Sequence, residues 1–396
     1  MSLHIVGAGL AGLSAALIAA EKGLTVKLHE AAGHAGGRAR SWVEPGLERM
    51  IDNGTHMVVG ANHAVFDFLR RAGNPDGLVA GPESLPLRDL DTGEIWSAGG
   101  LSTVLSVLGA LPTLGLCGPD ATVEQCLGRS RLYRRFWDPL SVAVMNTASD
   151  QASAEVMRRV AMRTVWRSRA ASRPYLIHAG LTQTFVRPAL ERLAALGVSV
   201  KFAHPLRSLA REGARVSQLH FDDTAIDLTP GDSVILATPW TVARGLLPEI
   251  PDLPASPIVN AHFRLDEPPS LLPDGAFLGV LGGTAQWLFR RNDVVSVTVS
   301  AAGPVVDQSA EALADTLWRD VSRALDLKTK PNATRIIKEK RATLFHTPAV
   351  ERSRPPSKAG DNLFLAGDWT ATGLPCTLEG AIVSGRTAAE LILSTH

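Results

Sequence analysis

Three glycines near the start of the chain lie between a short apolar run and a stretch of good helix formers. Residues 4–6 are a histidine followed by the β-branched Ile5 and Val6, and they predict a buried strand. Residues Leu10–Glu21 are rich in Ala and Leu and predict a helix, which Gly23 ends. Residues 24–29 predict a second strand. The unit is therefore strand, turn, helix and strand, and its turn carries Gly7, Gly9 and Gly12.

The glycine spacing indicates a dinucleotide site. Gly7 permits a tight turn, Gly9 lets backbone N–H groups approach a pyrophosphate, and Gly12 lets the helix pack closely on the strand. The helix N-terminus attracts the phosphates. Glu30 ends the second strand, where a carboxylate can accept hydrogen bonds from ribose hydroxyls and would repel a 2′-phosphate. A glycine-rich turn without a ligand is the alternative.

Composition narrows the class of protein. The 396 residues are 45% apolar and 20% charged, which is typical of a globular chain of one large or two smaller domains. A formal net charge of +1 gives no support for nucleic-acid binding. Three scattered cysteines, Cys117, Cys126 and Cys376, predict neither a disulfide framework nor a metal site, and fit a reducing, cytoplasmic location. With the first strand so close to Met1, we expect no signal peptide.

The organisation along the chain predicts two interleaved domains. Residues 77–179 contain long apolar helices and many arginines, whereas a second α/β unit follows and strands recur after residue 255. An uncharged run at 101–118 is interrupted by Pro112 and predicts a buried or lipid-facing helix pair, not a membrane span. The expected fold is α/β, with a Rossmann-like cofactor domain (1–76, 180–254, 346–396) and an α+β substrate domain (77–179, 255–345).

Two terminal segments resemble a known superfamily. "GAGLAGLSAA…HEAAGHAGGRARS" and "NLFLAGDWTATGLPCTLEGAIVSGRTAA" resemble the flavin-containing amine oxidases and carotenoid desaturases. The phrases "IDNGTHMVVGAN", "FWDPLSVAVMNT", "SPIVNAHFRLD" and "EKRATLFHTPA" resemble the squalene-associated, FAD-dependent group of hydroxysqualene dehydroxylases. The resemblance implies FAD as cofactor and reduction of hydroxysqualene to squalene, with loss of water, in squalene and hopanoid synthesis. A separate electron donor, which the sequence does not identify, must then restore the reduced flavin.

The resemblance also implies positions for the cofactor. Gly36, Gly37 and Arg38 would follow the phosphates and ribityl chain, and the backbone at Leu206 would hold the adenine end. The remaining implied cofactor positions are Gly54, Gly367, Asp368, Leu378, Glu379 and Gly380, the last three at the flavin ring.

One family feature is missing. No lysine is evident where amine oxidases place one near the flavin's reactive nitrogen, and Gln286 and Trp287 occupy the region where we expect it. The chain has only two tyrosines, Tyr133 and Tyr175, so an aromatic cage for amines is not evident. Amine oxidation is therefore disfavoured, although an oxidase or desaturase for another amine or polyene stays the alternative. A flavin-bound lipid carrier without chemistry is a third hypothesis.

The implied reaction needs an apolar lining and a proton donor. Loss of hydroxide beside alkenes gives a carbocation, which aromatic faces stabilise. Candidates for that lining are Phe136, Trp137, Trp287 and Phe289. His56, in "DNGTH", is the first candidate for the acid that protonates the leaving hydroxyl, because histidine titrates near neutral pH. Asp52, Asn53 and Asn146 are the alternatives to His56.

Residues 129–173 are strongly basic, with ten arginines but only three acidic residues. Arg159, Arg163 and Arg167 are spaced four apart, which predicts one face of a helix. A basic amphipathic helix can lie on an anionic membrane, where a triterpenoid substrate would be found. A solvated face paired with acids elsewhere, or a protein interface, explains the charge equally well.

Overall fold

The computed structural model describes residues 2–98, 109–110, 112–164 and 167–395. Half of the uncharged run at 101–118, residues 101–108 and 111, lies outside this part of the chain, and so does the helix pair predicted there. Among the described residues, no helix has both the length and the apolar character needed to cross a membrane.

The first unit forms part of a five-stranded parallel sheet, as predicted. The strand order is β10-β2-β1-β14-β20. Helix α1 spans Leu10–Glu21, and ten of its residues are buried because it lies between the sheet and the last helix, α11 (Leu378–Ser394). A Cβ on Gly385 would lie 2.0 Å from the Ala11 carbonyl oxygen, so α11 can approach α1 this closely only with glycine there. The strands are β1 (Ser2–Val6), β2 (Thr25–His29), β10 (Val200–Lys201), β14 (Ser233–Leu236) and β20 (Leu363–Leu365).

A second, seven-stranded sheet has the order β19-β15-β18-β17-β16-β7-β8. Its neighbours pair antiparallel except β16 and β7, which are parallel. Helix α9 (Ala310–Leu325) covers one face and shares an apolar core with it. The strands are β7 (Leu85–Asp89), β8 (Ile95–Ala98), β15 (Ala255–Arg264), β16 (Phe277–Leu281), β17 (Trp287–Arg291), β18 (Val294–Val299) and β19 (Ala333–Leu344).

The prediction of long apolar helices across residues 77–179 is wrong for the described part of that segment. Residues 79–98 contain three strands, and the helices that follow are short. Strand β7 pairs with β16, which lies almost 200 residues later in the chain. Local sequence patterns cannot reveal such a contact. The proposed two-domain division stays a prediction. The helices are α3 (Val123–Leu127), α4 (Asp138–Met145), α5 (Ala154–Arg163) and α6 (Arg169–Ser172), with a π-helical turn at Tyr133–Trp137.

Three small sheets connect these parts. Strand β9 (Pro174–Leu176) pairs with β5 (Met57–Val59) and β6 (Val79–Ala80), so it joins distant parts of the chain. The others are a hairpin of β3 (Ser41–Glu44) and β4 (Arg49–Asp52), and a sheet of β11 (Leu206–Glu212), β12 (Arg215–Phe221) and β13 (Ala225–Asp227). The other helices are α2 (His63–Arg71), α7 (Arg187–Ala195), which continues a π-helical turn at Thr182–Val186, α8 (Trp240–Leu246) and α10 (Pro348–Ser353).

One disulfide was not predicted, and it removes the support that the cysteines gave to a reducing, cytoplasmic location. Cys117 and Cys126 are bonded, with their Cα atoms 6.1 Å apart, and so join the residues before α3 to its end. Cys376 is a buried free thiol.

The basic helix is shorter than its arginine spacing predicts. Helix α5 ends at Arg163, and the Thr164 hydroxyl donates back to the Val160 carbonyl oxygen, 2.8 Å away. Such back-bonding lets a threonine side chain compete with the helical ladder. Arg167 therefore lies beyond the helix and does not share the face of Arg159 and Arg163.

Candidate cofactor and active site

The glycine turn is packed tightly on one side and open on the other. A Cβ on Gly12 would lie 1.9 Å from the Gly7 carbonyl oxygen, and one on Gly7, where φ is +106°, would lie 2.5 Å from that of Ala237. A Cβ on Gly9 would meet no atom within 4 Å. Gly7 and Gly12 thus serve the fold, whereas Gly9 leaves space at the start of α1 where a pyrophosphate fits.

Glu30 lies beside this turn. Its two carboxylate oxygens accept from the backbone N–H groups of Ala8, at 2.7 Å, and Ala32, at 2.8 Å. Each oxygen retains a lone pair, so the carboxylate can still accept from ribose hydroxyls. The Glu30 carbonyl oxygen accepts from the His204 N–H at 2.9 Å, which places the start of β11 and its buried Leu206 next to the same strand end.

The second glycine pair continues the same surface. The Gly36 N–H donates to the Ala8 carbonyl oxygen at 2.8 Å, and Gly36 forms a parallel bridge with Gly9. Arg38 then pairs with Asp368, whose carboxylate is almost fully buried, at 2.7 Å. The structure therefore brings the N-terminal and C-terminal cofactor motifs together, as the resemblance implies, through a contact between residues 330 positions apart.

Gly367 precedes Asp368 at the end of β20. Its N–H donates to the Ser384 hydroxyl at 2.9 Å, and its φ of +153° lies in the region that favours glycine. A Cβ there would lie 2.3 Å from the Trp369 indole nitrogen. Gly367 is thus required by packing beneath the loop, independently of any ligand.

The start of α11 has one capped and two uncapped N–H groups. The Thr377 hydroxyl accepts from the Gly380 N–H at 3.1 Å, while Leu378 and Glu379 occupy the first two helical positions, which lack intrahelical acceptors. The Glu379 carboxylate instead accepts from Ala64 and Val65 at the start of α2, at 3.2 and 2.9 Å. Its side chain therefore caps α2, and only its backbone is available to a ligand.

A tight loop connects β4 to the second sheet. The Asn260 amide of β15 donates to the Asn53 carbonyl oxygen at 3.2 Å, and a Cβ on Gly54 would lie 3.1 Å from the same amide nitrogen. Thr298 donates to the Asn260 oxygen at 2.9 Å and so orients the amide. Sequence reasoning missed Asn260, although a polar residue in the middle of an apolar strand was a visible signal.

His56 has a defined tautomer in this loop. Its Nδ1 lies 2.6 Å from the Gly54 carbonyl oxygen, and two acceptors would repel at that distance, so Nδ1 carries the proton. Burial lowers the pKa of His56, with a further lowering by Arg38 and opposing contributions from the Gly54 carbonyl and Asp52. The ring is therefore neutral near neutral pH, and its Nε2 is an acceptor.

The alternative candidates for the acid have structural partners. The buried Asn146 amide donates to Thr343 Oγ1 at 2.9 Å and to the Ser256 carbonyl oxygen at 3.1 Å, so both of its N–H groups are used. Asp52 accepts from Ser41 at 2.5 Å and from Arg291 at 3.0 Å. This geometry does not favour either residue as a donor to substrate.

The four aromatic candidates lie in one buried cluster between the second sheet and the helices after residue 109. Phe136 and Trp137 contact each other edge to face at 5.2 Å, within the π-helical turn before α4. Trp287 and Phe289 alternate on β17 and flank Phe277 of β16 at 6.3 and 6.2 Å. We call these five residues the aromatic cluster: Phe136, Trp137, Phe277, Trp287 and Phe289.

The arginines of residues 129–173 are partly neutralised by acids outside that stretch. Glu94 pairs with Arg131 and Arg135, at 3.6 and 2.8 Å, and Glu124 pairs with Arg129. Arg159 pairs with Glu155 inside it. All ten arginines lie in the described part of the chain, where the other six form no ion pair: Arg134, Arg158, Arg163, Arg167, Arg169 and Arg173.

Comparisons with known proteins agree with this architecture. Residues 120–393 match the model of the flavin-containing amine oxidoreductases, and residues 5–72 match the NAD(P)-binding Rossmann-like domain. Hydroxysqualene dehydroxylase of Sinorhizobium fredii is 38% identical over 99% of this chain and 98% of its own length. The chain belongs to the hydroxysqualene dehydroxylases. The enzyme of that name from Rhodopseudomonas palustris is 36% identical with the same coverage.

The fold is also that of a solved amine oxidase. Cyclohexylamine oxidase from Brevibacterium oxydans superposes with a TM-score of 0.75 over 100% of this chain and 99% of its own, at only 16% identity. This likeness confirms the predicted α/β fold class, and the family match together with the relatives at 36–38% identity confirms the oxidoreductase class. FAD is confirmed as the cofactor by the family, and the open side of Gly9 beside Glu30 fits it. The individual site residues stay predictions.

Proposed function

We propose that this chain reduces hydroxysqualene to squalene with FAD, as part of squalene and hopanoid synthesis. The observation that carries the proposal is full-length relatedness at 36–38% identity to proteins named for this activity. Reduced FAD supplies the hydride that replaces the hydroxyl group, which leaves as water with one proton taken up from solvent. The substrate thus gains a hydride and loses its hydroxyl group as water. A separate electron donor then returns the oxidised flavin to its reduced state.

The cofactor is held mainly by backbone groups. The open face of Gly9 and the first turn of α1 would receive the pyrophosphate, and Glu30 would accept from ribose. Arg38 and Asp368 would flank the ribityl chain. The free N–H groups of Leu378 and Glu379 would face the carbonyl edge of the ring, where negative charge develops on reduction.

The aromatic cluster would line the substrate site. Its aromatic side chains are buried and apolar, and their faces can stabilise the delocalised carbocation that forms as hydroxide leaves. Exclusion of water protects that cation from capture. The π-helical turn that carries Phe136 and Trp137 adds support, since such turns are frequent at functional sites.

The geometry supports a role for His56 that differs from the predicted acid. Because its ring is neutral with the proton on Nδ1, Nε2 would accept the substrate hydroxyl's hydrogen and orient that group. Asn53 has a backbone fixed at both ends, by Arg40 at 3.0 Å and by Asn260 at 3.2 Å. We assign to its side-chain amide the hydrogen bond that stabilises the departing oxygen.

An anaerobic single-turnover experiment tests the activity. The purified holoenzyme's flavin is reduced, hydroxysqualene is added, and the oxidised-flavin absorbance and the products are followed. We expect reoxidation with one squalene formed per flavin. Absence of reoxidation would contradict the proposal and favour the alternative, a desaturase or amine oxidase, which instead reduces oxidised flavin when its polyene or amine is added. That alternative has less support, since the relatives at 36–38% identity carry the dehydroxylase name.

We also propose that the chain is cytoplasmic and docks on the inner face of the membrane through residues 129–173. Six of its ten arginines form no ion pair within the described residues, and Met162 on α5 is 47% exposed next to Arg158. Each arginine near an anionic surface contributes about 1 kcal/mol to the free energy of membrane binding.

Co-sedimentation with phosphatidylglycerol vesicles tests this docking. It should be strong at low salt, weak at high salt, and reduced by the double substitution Arg134→Glu and Arg158→Glu. Absence of binding at both salt concentrations would contradict docking.

A further inference from the structure

A buried polar cluster lies behind the loop that precedes α11. His346 follows β19 and is fully buried, and none of the reaction roles above uses it. Its ring Nδ1 contacts Glu351 Oε1 at 2.5 Å, and its Nε2 accepts from the Cys376 N–H at 2.9 Å. Since that N–H needs a lone pair on Nε2, the contact fixes the tautomer with the proton on Nδ1.

Arg354 extends the cluster to the other end of the same loop. Its guanidinium donates to the carbonyl oxygens of Asp368 and Leu374, both at 2.6 Å, and to Glu351 Oε2 at 3.0 Å. Burial raises the pKa of Glu351, whereas His346 and Arg354 lower it. Their combined lowering is larger, so the net shift of the Glu351 pKa is downward. Glu351 is thus a carboxylate that joins the two donors.

Together these residues hold residues 368–376 at three points. The Asp368 and Leu374 carbonyls are bound by Arg354, and the Cys376 amide is bound by His346. The same loop carries the Asp368 carboxylate that pairs with Arg38, and it ends immediately before Thr377, the cap of α11. Its geometry therefore sets where the N–H groups of Leu378 and Glu379 point.

The cluster also contacts the part of the chain that forms the aromatic cluster. The backbone N–H of His346 donates to Thr147 Oγ1 at 2.9 Å, and its carbonyl oxygen accepts from the Ser153 N–H at 2.8 Å. Thr147 follows α4 and Ser153 caps α5. One buried residue thus connects the helices beside the aromatic cluster to the loop at the flavin.

We propose that His346, Glu351 and Arg354 are positioning residues that fix loop 368–376 against the flavin and couple it to the helices beside the substrate. The inference rests on the proposed FAD site but not on the identity of the substrate. It needs no covalent step and no proton transfer to substrate. Loss of the cluster changes how the flavin is held, and therefore its affinity and its reduction potential.

The test compares variants by properties of the flavin itself. Glu351→Gln removes the carboxylate that joins His346 to Arg354 without touching loop 368–376. We expect its FAD dissociation constant to rise about tenfold, equivalent to about 1.4 kcal/mol, with a shifted midpoint potential and altered visible circular dichroism. His346→Leu should do more, and His346→Gln, whose amide oxygen can accept from Cys376, should recover part of the loss.

His262→Gln is the matched control. His262 is also buried, but its ring contacts Ser296 on the second sheet and not the flavin loop. It should lower the melting temperature of FAD-free protein without moving the flavin potential. Unchanged affinity, potential and dichroism in Glu351→Gln would overturn the positioning role, even if stability fell. If His346→Leu does not fold, Glu351→Gln and His346→Gln decide. Failure of hydroxysqualene turnover in the parent enzyme would refute the proposed function separately.

Discussion

The two large sheets present different chemical groups to the ligands proposed for them. The five-stranded sheet presents backbone: glycines whose missing side chains admit α1 and leave space for phosphates, and N–H groups at helix starts. The seven-stranded sheet presents side chains, with aromatic rings on β16 and β17. A binding site formed by closely packed backbone tolerates almost no added side-chain atom. In a site formed by side chains, binding changes gradually with the volume of the side chains that line it. Substitutions in the two regions should therefore differ in kind.

The largest effect is expected at the glycine turn. Gly12→Ala would place a Cβ 1.9 Å from the Gly7 carbonyl oxygen, so α1 must shift. We expect purified Gly12→Ala to contain almost no FAD and to melt at a lower temperature than the parent even as apoprotein. The absorbance of bound flavin per protein, and calorimetry of the apoprotein, measure the two effects.

Gly9→Ala separates packing from ligand binding. Its Cβ meets no protein atom within 4 Å, so the apoprotein should keep its melting temperature while FAD affinity falls strongly, because the methyl group occupies space assigned to the pyrophosphate. Gly46→Ala, at an exposed and equally open turn, should change neither property. Normal FAD content in Gly9→Ala would mean that the phosphates lie elsewhere.

The first region was largely predictable because its determinants are local. The strand, glycines, helix and Glu30 all occur within residues 4–30, and α1 spans the predicted residues Leu10–Glu21. The contacts that complete the site join distant segments: Arg38 with Asp368, Asn53 with Asn260, and His346 with Cys376. Spacing in one sequence carries no information about such pairs, so family resemblance supplied Arg38 and Asp368, and Asn260 and His346 were missed.

The second region was predicted less well for the same physical reason. Strands β7 and β8 lie in a segment expected to be helical, and their register depends on β16, far along the chain. Four of the five residues of the aromatic cluster were named from the sequence and Phe277 was missed, because their closeness follows from a sheet that the pattern did not reveal. His56 stays a predicted site residue, and only the 2.6 Å contact of its Nδ1 with the Gly54 carbonyl oxygen indicates that its Nε2 is an acceptor.

An intermediate effect is expected from pH, and a buried row of histidines at the first sheet's strand ends should cause part of it. His4, His29 and His204 form a buried row, with ring nitrogens 3.3 and 3.1 Å apart. Burial, with neighbouring positive charges, lowers the pKa of His29 to about 3 and that of His4 to about 4. The unfolded chain therefore takes up protons first as pH falls below about 6.5, and stability is lost between there and the folded pKa values.

Denaturant unfolding between pH 7 and pH 4 measures this loss. For His29 it should reach on the order of 3 kcal/mol at pH 4. His29→Gln, which keeps a hydrogen-bonding amide but cannot titrate, should be less stable than the parent at pH 7 and should lose less stability on acidification. An equal slope in both proteins would mean that acid unfolding starts from other groups, such as the buried His262, whose pKa burial lowers to about 4, or from carboxylates elsewhere in the molecule.

The smallest effect is expected in the aromatic cluster. It tests directly whether these side chains line the substrate site. Trp287→Phe removes part of a buried ring that also packs over Gly279. The lost volume should cost about 1–3 kcal/mol of stability and lower kcat/KM for hydroxysqualene several-fold, while FAD content stays at the parent level. Trp318→Phe makes the same change on the opposite face of the sheet, against Phe263 at 5.2 Å. If both variants lose stability but only Trp287→Phe loses turnover, the aromatic face is specific to substrate. If turnover follows stability in both, the cluster is ordinary core and the substrate lies elsewhere, so the contrast between the two sheets would hold for the cofactor alone.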